Sequence, residues 1–282
     1  MKDTVKKLKE LVDGSDNIVF FGGAGVSTES GIPDFRSTDG LYHQQWSYPP
    51  ETILSHTFYE SNPEEFFRFY RAKLLIPGAK PNAAHKKLAE WEAQGKLRAI
   101  VTQNIDGLHQ AAGSKRVLEL HGSVHRNYCE RCGKFYDFDF MLHSEGVPRC
   151  ECGGTIKPDV VLYEEGLNQK LLNDSVRAIA EADMLIIGGT SLNVYPAAGL
   201  VQYAKPNTPI YLIDPEPTVG HGIRNLTHIQ EGASKGMENF LKGLLKVKKA
   251  DALEVKSEER RVKNSIAQAI HSPLLRGGVS HR

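Results

Sequence analysis

The sequence contains little cysteine: there are four in 282 residues, and all of them lie between Cys129 and Cys152. Small secreted domains that depend on disulfides are dense in cysteine, whereas a few clustered thiols in a long chain are typical of a metal site. The cysteine content therefore argues against a disulfide framework and for a bound metal.

Long apolar runs are also missing. Runs such as Met184 to Ile187 are far too short to span a bilayer. The first residues, Met1 to Leu11, are rich in lysine and are not followed by the apolar block of a signal peptide. We therefore expect a cytoplasmic protein with no membrane partner.

An excess of charge of either sign is absent as well. Thirty-five Lys and Arg residues face 34 Asp and Glu residues, a net charge of +1, which argues against a surface built to bind nucleic acid. Residues 247–282 differ, with eight Lys or Arg against four Asp or Glu. We interpret 247–282 as a basic, weakly ordered C-terminal tail.

Short apolar segments alternate with helical patterns along the rest of the chain. Several of these segments end in glycine-rich or polar clusters, a pattern that predicts buried parallel strands. The predicted strands are Asn17–Phe21, Ala99–Thr102, Val117–Leu120, Val160–Leu162, Ala182–Ile187 and Ile210–Ile213. The expected fold is α/β, a Rossmann-like parallel sheet with helices on both faces, whose strand ends meet at one cleft.

A glycine-rich turn follows the first predicted strand, at Gly22 to Ser27. Glycines allow a backbone to approach a pyrophosphate, and the next helix offers free N–H groups. The Rossmann fingerprint is incomplete because position 28 is Thr. A tight turn without a ligand is the alternative, and the missing glycine counts against a hydride-transferring dehydrogenase.

The cysteines form two closely spaced pairs, Cys129-x-x-Cys132 and Cys150-x-Cys152. Two thiolate pairs on two turns close a tetrahedral zinc site with no open position, so the spacing predicts one structural Zn²⁺ per chain. Four buried free thiols are the alternative, and His125 or His143 is a less favoured replacement ligand.

Five motifs around these cysteines resemble those of the sirtuin family. They are Gly23-Ala24-Gly25-Val26-Ser27, Gly31-Ile32-Pro33-Asp34-Phe35-Arg36, Thr102-Gln103-Asn104-Ile105-Asp106, His121-Gly122 and Gly189-Thr190-Ser191-Leu192. Their order and spacing hold across roughly residues 15 to 240, and the chain is similar to bacterial-type sirtuins.

The resemblance implies an NAD-dependent protein lysine deacetylase or deacylase. In the implied reaction, the acyl-lysine carbonyl oxygen attacks the ribose carbon of NAD, nicotinamide leaves and an alkylamidate forms. His121 then acts as general base on a ribose hydroxyl, and the products are lysine, nicotinamide and O-acyl-ADP-ribose. A neutral imidazole suits this role near neutral pH.

The resemblance also implies catalytic roles for His121, Asn104 and Asp106. Each has a structural alternative: a histidine at a strand end, a turn residue and a helix cap. Phe35 and Arg36 have ordinary core packing and a surface ion pair as their alternatives. The implied NAD-binding residues are Gly23, Ala24, Gly25, Ser27, Thr28, Asp34, Phe35, Arg36, Gln103, Asn104, Ile105, Asp106, Gly189, Thr190, Ser191 and Asp214.

Substrate binding is implied for Val160, Val161, Leu162 and Tyr163, along which an extended peptide would add its backbone. Many relatives have Phe-Gly-Glu where this chain has Tyr163-Glu164-Glu165, and many have Asn at the position of Asp214. Relatives that prefer succinyl or malonyl groups carry Tyr and Arg three residues apart on one helix.

The corresponding pair here is Tyr70 and Lys73, which share a helix face and have solvent exposure as the alternative. Acetyl-lysine is the default expectation, with weaker activity on acidic acyl groups.

The predicted organisation has four parts. The NAD-binding domain comprises 1–36, 98–122 and 158–246, residues 37–97 form a helical insertion, and 123–157 form a zinc-ribbon module, ahead of the tail. An NAD-dependent protein mono-ADP-ribosyltransferase on the same scaffold is the first alternative function. A zinc-ribbon module that binds nucleic acid is the second, although we expect no specific nucleic-acid partner.

Overall fold

The computed structural model describes residues 12–35, 40–43, 46–215, 222–230 and 232. Arg36 and the predicted tail, 247–282, lie outside the described residues. Within the described ranges, no helix combines the length and apolar character needed to cross a membrane.

A parallel sheet forms the larger layer of the fold. Its strands are β1 (Ile18–Gly22), β2 (Leu97–Thr102), β3 (Val117–Glu119), β7 (Met184–Gly188), β8 (Ile210–Ile213) and β9 (Leu226–Ile229). The order across the described sheet is β3-β2-β1-β7-β8-β9, and every pairing is parallel. Counting only these six strands along the chain gives 3-2-1-4-5-6, the strand order of dinucleotide-binding Rossmann folds.

Successive side chains on a strand point to opposite faces of the sheet, and both faces of this sheet are covered. Val19 and Phe21 of β1 belong to a core cluster with Ile179 of helix α7 (Gln169–Glu181). Phe20 points the other way and contacts His109 of helix α5 (Leu108–Ala111). The predicted fold class is confirmed, and β1 and β7 are buried along their whole lengths.

A second, smaller sheet is antiparallel and has the order β5-β4-β6. Its strands are β4 (Gly122–Cys129), β5 (Phe135–Tyr136) and β6 (Ile156–Val160), and helix α6 (Phe138–His143) lies against β4. The sequence placed Val160–Leu162 among the strands of the parallel sheet. In the structure the strand ends at Val160 and pairs with β4, because a short apolar run does not specify which sheet it joins.

Four helices lie between β1 and β2: α1 (Pro50–Ile53), α2 (His56–Ser61), α3 (Pro63–Lys73) and α4 (Ala83–Ala93). Pro63 begins α3 as predicted, and Asn82 caps α4 by accepting from the amides of Ala84 and His85. Helix α3 buries Phe66, Phe67, Phe69 and Tyr70 in the core that it shares with the smaller sheet.

Candidate active site

The glycine-rich turn meets a second turn at the point where the parallel sheet reverses its strand order. Strands β1 and β7 are neighbours, and their carboxyl ends lead into Gly23–Gly25 and Gly189. The amide of Gly23 donates to the carbonyl of Gly188 (3.1 Å), and that of Gly25 donates to the carbonyl of Gly189 (2.9 Å). Open α/β sheets bind their ligands at this kind of crossover.

These glycines leave no room for a side chain. A Cβ on Gly23 would lie 2.8 Å from the carbonyl oxygen of Gly189, and one on Gly25 would lie 2.8 Å from the Cα of Gly189. Gly189 itself has φ of 59° in the left-handed region that favours glycine. The crossover therefore presents bare backbone, as close approach of a pyrophosphate requires.

A buried polar network lies beside this crossover and joins three predicted site residues. Ser27 Oγ donates to Asp106 Oδ2 (2.6 Å) and accepts from Asn104 Nδ2 (3.0 Å). Asp106 Oδ1 also accepts from the amide of Leu108 (2.9 Å), so the carboxylate caps helix α5 and faces the cavity at once. The catalytic and capping interpretations of Asp106 are geometrically compatible.

His121 follows β3 and points its ring toward the segment after β2. Its Nδ1 lies 3.0 Å from the carbonyl oxygen of Gln103. A carbonyl only accepts, so Nδ1 carries the proton and Nε2 of the neutral ring is left as an acceptor. Burial lowers the pKa of His121 from its ordinary value of 6.5, although the bond to Gln103 opposes the shift. The imidazole is therefore neutral at pH 7.

The segment after β6 borders the same region. The amide of Val161 donates to the carbonyl of His121 (3.0 Å), which fixes the segment beside the imidazole. Gln103 connects the two ends of the site, since its Nε2 donates to Thr190 Oγ1 (3.1 Å). Elements that are far apart in sequence are thus joined by direct hydrogen bonds.

One cavity of about 970 Å³ contains nearly all of the predicted binding and catalytic residues. Its lining includes Gly23, Ala24, Gly25, Ser27, Thr28, Asp34, Phe35, Lys73, Gln103, Asn104, Ile105, Asp106, His121, Val160, Val161, Leu162, Tyr163, Gly189, Thr190, Ser191 and Asp214. The volume lies at the upper end of the range of about 300–1,000 Å³ that is typical of small-molecule and cofactor sites.

The predicted acyl-selecting pair is separated by the fold. Lys73 lines the cavity, with Nζ 5.6 Å from the Trp46 ring centre. Tyr70 is fully buried, does not line the cavity, and its hydroxyl has no hydrogen-bond partner among the described residues. Helix α3 therefore places Tyr70 in the aromatic core, neither exposed to solvent nor beside Lys73 at the site.

The four cysteines come together at the end of the smaller sheet. One ligand atom from each of Cys129, Cys132, Cys150 and Cys152 lies within 4.8 Å of all the others. Two of the Sγ–Sγ separations are 3.4 Å (Cys129–Cys152) and 3.6 Å (Cys132–Cys150). Four converging sulfurs fit tetrahedral Zn²⁺ with every position filled by protein.

The two histidines considered as replacement metal ligands form hydrogen bonds to backbone carbonyls. His125 Nε2 is 3.0 Å from the carbonyl oxygen of Asp106, and His143 Nδ1 is 2.8 Å from that of Asp139.

Several lining residues had no signal in the sequence. Tyr42, Leu74, Ile76, Phe138 and Tyr195 all border the cavity. They come from loops or helix ends that carry no glycine-rich or polar strand-end pattern. Only the paths of those loops bring them to the site.

The sequence model of the Sir2 family matches residues 23–196. A protein of Clostridium acetobutylicum named NAD-dependent protein deacetylase is 62% identical over 243 residues, 85% of this chain and 98% of that protein. A protein of Clostridium perfringens with the same name is 60% identical over 221 residues, 77% of this chain and 91% of its own length.

Solved Sir2 structures share the fold. One, from work on the mechanism and regulation of Sir2 enzymes, has a TM-score of 0.78 at 37% identity and covers 88% of this chain and 100% of its own. Another, a Sir2 protein with deacetylated p53 peptide and 3'-O-acetyl ADP ribose, has a TM-score of 0.77 at 36% identity and covers 84% and 97%.

Proposed function

Because this chain belongs to the Sir2 family, we propose that it is an NAD-dependent protein lysine deacylase with acetyl-lysine as its default substrate. The observation that carries the proposal is the convergence of His121, the Ser27–Asn104–Asp106 network and the bare-backbone crossover on one cavity. The products are the free lysine side chain, nicotinamide and O-acyl-ADP-ribose.

NAD dependence agrees with the names of the relatives and with the crossover in this fold. The turn Gly23–Gly25 and the turn Gly189–Ser191 are assigned to the phosphates, which can approach the bare backbone there without hindrance from side chains. Asp214, at the end of β8, is assigned to the adenosine ribose. When bound, NAD supplies the ribose carbon that accepts the acyl oxygen and the nicotinamide that leaves. The remaining assigned NAD contacts are Ala24, Ser27, Thr28, Asp34, Phe35, Arg36, Gln103, Asn104, Ile105, Asp106 and Thr190.

His121 is assigned the general base. Its Nδ1 proton is held by Gln103, so Nε2 is available to take a hydroxyl proton. Asp106 accepts from Ser27 and Leu108, which fixes the carboxylate for hydrogen bonds to the nicotinamide carboxamide. Asn104, also held by Ser27, orients a ribose hydroxyl or a water molecule.

The substrate is a protein, and its acyl-lysine is assigned to the segment Val160–Tyr163. The segment carries a strand edge beside His121, and extended peptides bind such edges through their backbone. Lys73 lines the same cavity, and we assign its positive charge to a weaker activity on acidic acyl groups. Tyr70 is left out of this role because its side chain belongs to the core.

Zinc is assigned a structural role at the four cysteines, none of which lines the cavity. The domain boundaries given by the sequence are kept, with the zinc-ribbon module as 123–157 and the helical insertion as 37–97. A cytoplasmic location and the absence of a specific nucleic-acid partner complete the proposal.

Mono-ADP-ribosyl transfer would use the same crossover but needs no base for later acyl steps. The position and neutral state of His121 favour deacylation.

The test is incubation with a panel of acyl-lysine peptides with and without NAD. We expect nicotinamide release and loss of acyl mass only when NAD is present, with acetyl peptides turned over fastest. Addition of ADP-ribose mass to the peptide or a carrier protein, without loss of the acyl group, would replace deacylation by the transferase alternative.

A further inference from the structure

Glu164 adopts a backbone conformation that glutamate seldom has. It follows the segment Val160–Tyr163 directly, and its φ is 76°, in the left-handed region where a Cβ is disfavoured. Backbone strain of this kind persists only where neighbouring contacts hold it. The contacts of Glu164 therefore bear on the segment that it ends.

Among the described residues, the carboxylate of Glu164 forms hydrogen bonds with Thr57, in the first turn of α2. Glu164 Oε2 accepts from the amide of Thr57 (2.9 Å) and from its hydroxyl (2.7 Å). The two bonds, led by the one from the hydroxyl, hold the pKa of Glu164 below its ordinary value. Glu164 is exposed, so burial does not account for its conformation.

The neighbouring backbone is joined to the same helix entrance. The amide of Tyr163 donates to the carbonyl of Leu54 (2.9 Å), and the amide of His56 donates to the carbonyl of Tyr163 (3.0 Å). Glu165 adds a second side-chain bond, because its carboxylate lies 3.0 Å from His56 Nδ1. One edge of the segment is thus attached to residues 54–57, while the segment itself lines the cavity.

We propose that Glu164 is a positioning residue: its carboxylate, bonded to Thr57, holds the segment Val160–Tyr163 in the conformation that receives the acyl-lysine peptide. The inference rests on the proposed function, since it takes that segment as the peptide site. Glu164 itself does not line the cavity. Because the segment is already held in this conformation, it loses less conformational entropy when the peptide adds to its edge.

The experiment compares steady-state kinetics of four single variants, and of the double variant Glu164→Gly/Thr57→Val, with the wild-type protein. Glu164→Gly removes the carboxylate but tolerates the positive φ, and Thr57→Val removes the hydroxyl but keeps the amide. Thr57→Ser is the matched conservative variant, and Glu51→Gln removes a carboxylate from an exposed position on α1. Thermal denaturation of each variant checks that the chain is folded.

We expect the peptide KM of Glu164→Gly to rise about fivefold, with kcat and the NAD KM within about twofold of wild type. Thr57→Val should raise the peptide KM in the same direction. Thr57→Ser and Glu51→Gln should have the wild-type peptide KM. In the double variant, Thr57→Val should not raise the peptide KM beyond that of Glu164→Gly alone.

An unchanged peptide KM in Glu164→Gly, equal effects of Thr57→Val and Thr57→Ser, or an equal rise in the NAD KM would overturn the positioning role. If the wild-type protein neither binds nor turns over any acyl-lysine peptide, the proposed function fails as well. The two failures are distinct, because the first requires an active wild-type enzyme.

Discussion

Single residues in this site serve two structural purposes at once. Ser27 accepts a hydrogen bond from Asn104 and donates one to Asp106, so one hydroxyl fixes two side chains of the candidate site. His121 obtains its tautomer from a backbone carbonyl. Burial supplies the neutral charge state by disfavouring the imidazolium.

Replacement of His121 by Ala should reduce kcat by roughly 10²- to 10⁴-fold, the usual contribution of a general base. NAD affinity should change little, because the ring makes its described hydrogen bond to Gln103 and not to the glycine turns. His143→Ala, an exposed histidine bonded to Asp139, is the matched control. Comparable turnover by the two variants would remove His121 from the mechanism.

The pH dependence of kcat/KM in the wild-type protein should also reflect the protonation state of His121. The folded-state pKa of His121 lies below 6.5, so the base is deprotonated above that pH and becomes protonated as the pH falls through the lowered pKa. The kcat/KM on an acetyl peptide should therefore be level above pH 6.5 and decline only at more acidic pH. A decline that begins near pH 8 would contradict this assignment.

At the level of elements, turns at strand ends shape the site. The crossover works because glycines at Gly25 and Gly189 allow two backbones to touch. The smaller sheet has a second source of cohesion besides the apolar core that it shares with α3, because four sulfurs converge at its end.

Gly189→Ala should weaken NAD binding by more than about tenfold. The new Cβ would lie 2.5 Å from the carbonyl carbon of Gly25 and closer still to the amide nitrogen of Val26, so the two turns must separate. Titration calorimetry measures the NAD Kd. Gly166→Ala, where a Cβ meets nothing within 4 Å, should keep the wild-type affinity, and equal affinity in both variants would contradict the close-approach argument.

Removal of zinc should unfold the smaller sheet. Structural zinc sites of this kind contribute on the order of 10 kcal/mol to folding, so Cys150→Ser or prolonged chelation should lower the zinc content below about one per chain and lower the Tm. Lys134→Ala, which loses an ion pair with exposed Glu151 and a cation–π contact with Tyr136, should retain zinc. A zinc content of about one per chain in Cys150→Ser would contradict the assignment of four sulfur ligands.

Over the whole molecule, two buried histidines behind the network make stability depend on pH. Burial lowers the pKa of His85, and it lowers that of His109 to about 3. The rings lie 4.8 Å apart, and neither nitrogen of His109 has a partner among the described residues. Both are neutral in the folded chain.

The unfolded chain binds these protons near pH 6.5, whereas the folded chain does not. The free energy of unfolding should therefore be highest above pH 6.5. It should fall as the pH drops toward the folded-state pKa values, by up to about 1.4 kcal/mol per pH unit for each histidine. Urea unfolding of wild type and His109→Phe between pH 5 and 7 tests this. The variant should show the shallower slope, and equal slopes would refute the linkage.

Much of the fold was readable from local patterns. Short apolar strands before glycine-rich turns predicted the parallel sheet, and the spacing of Cys129, Cys132, Cys150 and Cys152 predicted their convergence. The strand Leu226–Ile229 was missed, since all four of its residues are only partly buried and lack a continuous apolar run.

The sequence by itself determined the chemistry that is available: the glycines of the turns, the thiol pairs and the imidazole at position 121. Tertiary structure alone decided which of these groups meet. The chain brings Ser27 to Asp106 and Gln103 to Thr190 across long stretches of sequence, and it turns Tyr70 into the core while Lys73 reaches the cavity. The physical reason is that residue type and spacing specify local conformation, whereas contacts between distant segments depend on how the sheets and helices pack.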